Sequence, residues 1–436
     1  MNTKFNTFQI VVLGIFVVFI LAGVAAFALY RGNSSSVSTL SPITVWGTFP
    51  KATFDQYVGN ISNHSANQLS VTYVQKSASN FSQDFVGALA RGQGPDAILI
   101  PAELLLPHED KLVTIPFSSI SERDYKDTYI QAGDIYLNKN GVNGFPFMID
   151  PLVMYWNRDM FDAAGIASYP AYWEDFTSLN TNLTVKDTNG NIRKSAIALG
   201  QFGNLVNARE IFGTILLQSG NPVTALSSEG VISSTLNSGA TVSPEAAMKF
   251  FIQFANPSSV NYSWNKSMSD SKSAFLAGTL ATYFGFASEL ADLRAKNPNI
   301  NFDVALLPRP KAGGTGVTYG RLYGFSVVRT SANISSAVSI ISTLSASQYL
   351  RDLSASMYLP SVRRDVISGG SSDPYISLFN KAALVSESWL DPNPTETGQI
   401  FRSMVESYAS GQKDIYRAIQ DAGDQYDALL NQAIPK

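Results

Sequence analysis

The stretch GFPFMIDPLVMYWNRDMFDAAGI, Gly144 to Ile166, sets one acid among apolar and aromatic neighbours. Between Gly144 and Asn157 the only charged residue is Asp150, accompanied by Phe145, Phe147, Met148, Leu152, Tyr155 and Trp156. An unpaired carboxylate is expensive to bury, so such an acid is hydrogen-bonded, ion-paired or turned toward a wet cavity. Together with Glu103 or Glu289, Asp150 would make the carboxylate pair of a glycosidase, a chemistry that needs neither histidine nor cysteine. The sequence does not give the distance between these acids, so this enzymatic reading stands beside the alternative of ligand binding.

Other chemistries are poorly supplied. The two histidines, His64 and His108, are isolated and read as surface or loop residues, so a Ser-His-Asp triad or a histidine zinc site is hard to build. There is no cysteine, which excludes disulfides, thiolate catalysis, cysteine-ligated metals and a lipid-modified N-terminal cysteine. KDTNGNI, Lys186 to Ile192, looks superficially like an acidic calcium loop but lacks the closing glutamate, and reads as an Asn-Gly hairpin. No catalytic residue, metal or cofactor is expected.

A chain of 436 residues is too long for one core and implies two or three lobes, and 45% hydrophobic residues suffice to fill them. A net charge of -3 without a basic tract argues against a nucleic-acid partner.

Phe5 to Tyr30 carries no charge, and its apolar run of about 20 residues is long enough to cross a bilayer. The alternative is a cleaved signal peptide, since Ala26-Phe27-Ala28 resembles a small-x-small site. Secretory apolar regions are shorter, which favours an anchor over residues 1–31. Lys4 and the amino terminus against Arg31 place the N-terminus inside. The Ser/Gly-rich segment 32–42 reads as a tether, which puts everything beyond it outside the cytoplasm.

The elements that must position Asp150 and Glu103 follow. Ile43–Thr48, Gln68–Gln75 and Asp96–Ile100 read as strands, separated by helical patterns at Lys51–Ile61 and Asn80–Gly92. Strand–helix alternation implies parallel sheet, with ligands beyond the carboxyl ends of the strands, at Trp46–Phe49 and Pro101–Glu103. Helical patterns dominate from Ala171 to about Lys296. Strands are expected at Asn301–Pro308 and Gly320–Val328, then a helix broken near Ser345 and a C-terminal surface helix.

Five segments, in order, resemble the extracellular solute-binding proteins of ABC importers, the group containing maltose-binding protein. They are GQGPDAILIPAE (Gly92–Glu103), GVNGFPFMIDPLVMYWNRDMFDAAGI (Gly141–Ile166), YPAYWEDF (Tyr169–Phe176), SAFLAGTLATYFGFAS (Ser273–Ser288), and FDVALLPRPKAGG with YGRLYGFSV (Phe302 to Val327). The resemblance implies an α/β, periplasmic-binding-protein-like fold with two α/β lobes joined by crossover strands around a ligand cleft. Lobe one takes 41–149 and 304–345, and lobe two 150–303 and 346–436. It further implies a small-molecule ligand, most simply a carbohydrate, and an ABC permease as partner; a tethered sensor without transport is not separated from this by sequence.

On this reading Asp150 falls on the family's crossover acid and Glu103 on its loop acid. Carboxylates accept hydrogen bonds from hydroxyl pairs while aromatic faces cover a sugar ring. Tyr155 stands where a stacking aromatic is usual, with Phe147 nearby, and Phe284 and Phe286 fall on a loop that in sugar binders carries a tryptophan. Trp46 and Phe49 complete the strand-end contacts. Tyr319, Arg321 and Tyr323 stand where the family pattern usually has Gly-Gly-Trp-Gly, and Arg321 fits an acidic sugar, a phosphate or a carboxylate in place of a neutral sugar. Trp173 and Phe176 read as core residues.

Overall fold

The computed structural model describes residues 40–64, 69–227, 231–237, 243–312 and 315–434. The expected anchor (1–31), most of the tether and His64's side chain lie outside the described residues. Among the described residues, no helix is long and apolar enough to cross a membrane.

Strands Ile43–Gly47, Val71–Gln75 and Ala97–Pro101 pair in parallel, with Ile43–Gly47 in the middle. The helices Lys51–His64 and Phe81–Ala90 connect them, and Phe81 and Phe85 place one buried ring per turn against the sheet. Asp96 fixes the start of the third strand. Its carboxylate accepts from Thr44 N–H at 2.8 Å and from Ser331 Oγ at 2.6 Å, a structural role for this Pro-Asp landmark.

Beyond these strands the sheet turns antiparallel. Thr318–Val327 pairs with Ala97–Pro101 on one side and with the long strand Phe145–Asn157 on the other. Leu280–Phe286 and Phe302–Ala305 also pair with Phe145–Asn157, and Ile192–Ile197 runs parallel to Leu280–Phe286.

Two hydrophobic cores lie along this sheet. The first gathers Ile43, Val45, Ile98, Leu99, Phe147, Ile149, Leu322 and Phe325, and the second Leu152, Tyr155, Ile197, Phe212, Phe284, Tyr319 and Phe401. Two strands therefore run from one core into the other. Phe145–Asn157 changes core between Ile149 and Leu152, and Thr318–Val327 between Tyr319 and Leu322. The close approach there leaves no room for a side chain at Gly320, where a Cβ would sit 2.7 Å from Ile149 Cδ1 and from Ser386 Cβ.

The packing differs from the expected boundaries in two segments. Val304, Ala305 and Tyr319, expected in lobe one with 304–345, are buried in the second core. Leu350, Leu353, Leu359, Val362, Val366 and Ile367 are buried in the first core, although 346–436 was assigned to the second lobe. Helices Ile334–Leu344 and Ser347–Met357, broken at Ser345 as expected, both stay on the first core. The chain returns with helix Pro374–Leu384, whose Phe379 and Ala382 join the second core. The stretch 171–296 also holds more strand than its helical patterns suggest, notably Leu280–Phe286. That run is buried throughout, and a continuous apolar run carries no period to separate strand from helix.

The hairpin reading of Lys186–Ile192 agrees with the structure. Val185–Lys186 pairs antiparallel with Ile192–Ile197, and Gly190 takes the left-handed turn position at φ 81°. Asp187 accepts from Asn191 Nδ2 and from the backbone N–H groups of Asn189 and Asn191, which with Arg193 hold its carboxyl down at about 2. His108 is not a surface residue. It is buried against Phe85 and Phe81 with Ser82 Oγ 3.0 Å from Nε2, and burial lowers its pKa to about 4.

Candidate functional site

The two crossing strands meet with Asp150 directly opposite Arg321. Asp150 is 3% exposed and its carboxylate is held from the second core: Ser288 N–H donates to Oδ1 at 3.0 Å and Ser288 Oγ to Oδ2 at 2.7 Å. Burial raises its pKa to about 6, while Arg321 and the Ser288 bonds act against that rise. Arg321 lies over the Phe286 ring, 4.1 Å from its centroid, and 3.9 Å from Glu210. Its side chain keeps 29% of its exposure, the most open charge of the group.

A second set of charges adjoins this pair. Helix Ala208–Gln218 starts after Asn207, which adopts left-handed backbone (φ 59°) and donates from Nδ2 to Glu289 at 3.0 Å; asparagine tolerates that conformation better than most residues. The turn aims Arg209 at the seam. Its guanidinium reaches Asp391 at 2.6 Å, Glu103 at 3.0 Å and Glu210 at 3.0 Å. The Tyr319 hydroxyl donates to the same Glu103. Burial pushes the Asp391 carboxyl up to about 6 despite Arg209, whereas Glu210, equally subject to burial, is held below its ordinary value by Arg209 and Arg321. Trp389 closes this side, its ring 4.9 Å from Tyr319 and 5.2 Å from the Arg209 guanidinium. It packs over Gly213, where a Cβ would fall 2.4 Å from the indole.

The arrangement is a seam between two cores, lined by acids, two guanidiniums and aromatic rings. A groove of about 420 Å³ also lies between residues of the two cores, among Leu105 and Leu112 of the first, Leu106 and Ile232 of the second, and Leu390, and none of the seam's charged residues lines it. A cavity of about 490 Å³ lies elsewhere, among Thr53, Tyr57, Tyr349 and Leu353, and holds no such convergence of charges. Volume alone therefore does not mark the site.

The model of the bacterial extracellular solute-binding proteins matches residues 63–377. The chain belongs to this family. No curated protein sequence matches it. Among solved structures, this solute-binding protein is similar to the cyclic α-maltosyl-1,6-maltose binding protein of Arthrobacter globiformis, at 15% identity and a TM-score of 0.71 over 90% of this chain and all of that one. It is also similar to the maltotriose binding protein of Thermus thermophilus (18%, TM-score 0.62, 90% and 100% covered). An ABC substrate-binding protein of Listeria monocytogenes in complex with cycloalternan is similar to the same extent (15%, TM-score 0.66, 90% and 99%). At such identities the likeness establishes the fold, which is α/β and periplasmic-binding-protein-like.

Of the contact residues expected from the sequence, this solute-binding protein brings Glu103, Asp150, Phe286, Tyr319, Arg321 and Tyr323 to the seam. Phe49 is buried on the first-core side, edge-on to Tyr323 at 5.5 Å. Trp46 is half-buried under Lys76, whose Nζ lies 4.0 Å from the ring centroid. Three residues take packing roles instead. Phe147 is enclosed by Phe49, Tyr57 and Phe325. Tyr155 stacks on Tyr283 and donates its hydroxyl to Phe286 O at 2.7 Å. Phe284 lies between Trp173 and Phe176, both buried as expected. Phe284 and Phe286 sit on a strand, not a loop; two positions apart they share one face of it, and Phe286, at the strand's end, is the ring that meets Arg321.

Sequence reasoning missed Arg209, Glu210, Asp391 and Trp389. The available signal was Asn207 before the amphipathic run Ala208–Gln218, an N-terminal helix boundary carrying an Arg-Glu pair in its first turn. Glu289, the other candidate acid, is engaged by Lys272 at 2.7 Å, Tyr283 at 2.7 Å and Phe286 N–H at 2.9 Å.

Proposed function

We propose that this chain is a membrane-tethered, extracytoplasmic solute-binding protein that captures a sugar or oligosaccharide and delivers it to an ABC importer. The two cores are its lobes, hinged on the crossing strands, and the ligand is gripped at the seam. Asp150 carries this reading. It is an acid at the crossing of the two strands, beside Phe286 and Arg321, where hydroxyl pairs can be accepted and a sugar face covered once the lobes part. Family membership and the saccharides named for the similar structures support the ligand class. The charge-free run Phe5–Tyr30 supports the tether.

Catalysis is not part of the proposal. Asp150 is capped by Ser288, Glu103 is paired with Arg209, and Glu289 is neutralised by Lys272, so none is poised as a free acid beside a nucleophile. One observation favours a second ligand class. The Arg321 side chain, 29% exposed, would suit an acidic saccharide or another anionic solute. A thermal-shift screen over neutral sugars, oligosaccharides, uronic acids, sugar phosphates and peptides tests both, because a solute bound only by the folded state raises the melting temperature. A rise with saccharides supports the proposal, and a rise confined to peptides overturns it.

A further inference from the structure

One interaction at the seam ties the two cores through the chain's own side chains. Arg209 stands on helix Ala208–Gln218, whose Ile211, Phe212 and Ile215 are buried in the second core. Glu103 follows strand Ala97–Pro101, whose Ile98, Leu99 and Ile100 are buried in the first. The guanidinium spans the seam to Glu103 at 3.0 Å and holds Asp391 at 2.6 Å and Glu210 at 3.0 Å on the near side. The backbone repeats the link, with Asp391 N–H donating to Glu103 O at 2.9 Å. Tyr319, on the strand that crosses between the cores, donates to the Glu103 carboxylate. Solvent barely reaches the network: side-chain exposure is 6% for Arg209, 7% for Glu103, 0% for Asp391 and 12% for Glu210.

We infer that Arg209 is a positioning residue, a tie supplied by the protein that draws the lobes together without a solute between them. The inference rests on the reading of the two cores as hinged lobes. Its physical basis is charge. Three carboxylates gather around one cation, and without that cation their mutual repulsion favours separation of Glu103 from Asp391 and Glu210. Buried pairs are screened little by salt, so the tie persists at physiological ionic strength. Saturated by three acids, Arg209 has no charge left to recognise an anionic solute, which leaves that role to Arg321. The tie raises the population of the closed arrangement before solute arrives, and a solute that binds that arrangement then binds more tightly in proportion.

The absence of cysteine makes a direct test simple. Val86 and Val260 are 44% and 85% exposed, the first on helix Phe81–Ala90 and the second in the loop before the buried second-core residue Trp264. Spin labels on Val86→Cys and Val260→Cys report the distance between the lobes by pulsed dipolar spectroscopy, on the full chain in detergent and without solute. The wild-type side chains should give one narrow distribution. Arg209→Gln should add a longer population, raised about tenfold or more over wild type. Glu103→Gln removes the first-lobe charge but leaves Arg209 paired with Asp391 and Glu210, so it keeps the fold and should open the lobes too. Glu103→Gln therefore decides the matter if Arg209→Gln fails to fold. Wild-type distances in a Glu103→Gln protein with an unchanged melting temperature would overturn the tie, as would a predominantly long distribution in the wild type. A distance response in a protein that binds no saccharide would keep the tie and reject the saccharide. Saccharide binding with unchanged distances would do the reverse.

Discussion

Asp150 and Arg321 face each other across the two antiparallel strands that link the cores, and the carboxylate is capped from the second core by Ser288. On the proposed reading of the cores as lobes, the pair sits at the hinge. Its electrostatics give the first prediction. The Asp150 carboxyl titrates at about 6 in the folded protein, against 3.8 ordinarily. The folded state therefore takes up this proton more readily than the unfolded chain. The stability it brings is complete below about pH 3.8 and is lost as pH rises through about 6. Asp150→Asn abolishes this dependence. The stability of the variant relative to wild type should increase by about 1–3 kcal/mol between pH 4 and pH 7.5. Urea unfolding at the two pH values checks it, and the lost Ser288 bond adds only a pH-independent offset.

Arg321 lowers the Asp150 carboxyl against the effect of burial. Arg321→Met should therefore move that titration above its wild-type value of about 6 while preserving contact with Phe286. Carboxyl carbon shifts of Asp150 in wild type and variant measure this directly. An unmoved titration would mean that the guanidinium is screened from Asp150 by water.

His108 governs the acid limb of stability. Burial among Phe81 and Phe85, with Lys111 adding to the effect, lowers its pKa from 6.5 to about 4. Its contribution is complete above about pH 6.5 and is lost as pH falls through about 4. His108→Gln keeps a polar group for Ser82 and should retain about 2–3 kcal/mol more of its neutral-pH stability at pH 4 than wild type does. Thermal melts from pH 4 to 7 give the comparison.

Asp150, Arg209 and His108 show what was legible in the sequence. Asp150 stood out because a lone acid in an apolar run needs a partner, and the partner it found was Ser288, 138 residues away. Local pattern carries no information at that separation. The parallel strands near the N-terminus were readable from their pattern, and the family landmarks put the first crossing at Asp150 but the second near 304, ahead of its place between Tyr319 and Leu322. Arg209 was not readable, since an arginine in the first turn of a helix ordinarily points to solvent. It follows the left-handed Asn207 and faces inward, to Glu103 on a distant 3-10 helix and Asp391 in a distant loop. His108 was misjudged because the sequence around it, Leu-Leu-Leu-Pro-His-Glu-Asp, looks like a polar turn, whereas a 3-10 helix over Ala102–Lys111 folds its ring back onto Phe85.

The tether predicts that the exported protein keeps its apolar N-terminus. Extracted from membranes, the mature chain should begin before Phe5, and washing with high salt or carbonate should not release it. A mature chain starting near Leu29 would replace the anchor with a cleaved signal.

The central claim, that a saccharide is gripped at the seam between the lobes, is tested most directly by calorimetric titration of the strongest saccharide from the screen into wild type and Asp150→Asn. The account predicts saturable binding to wild type and a roughly 10- to 100-fold weaker constant for the variant, the loss expected from one charge-assisted hydrogen bond. Equal affinity in the two proteins would contradict it, because the ligand would then lie away from the crossing of the two strands.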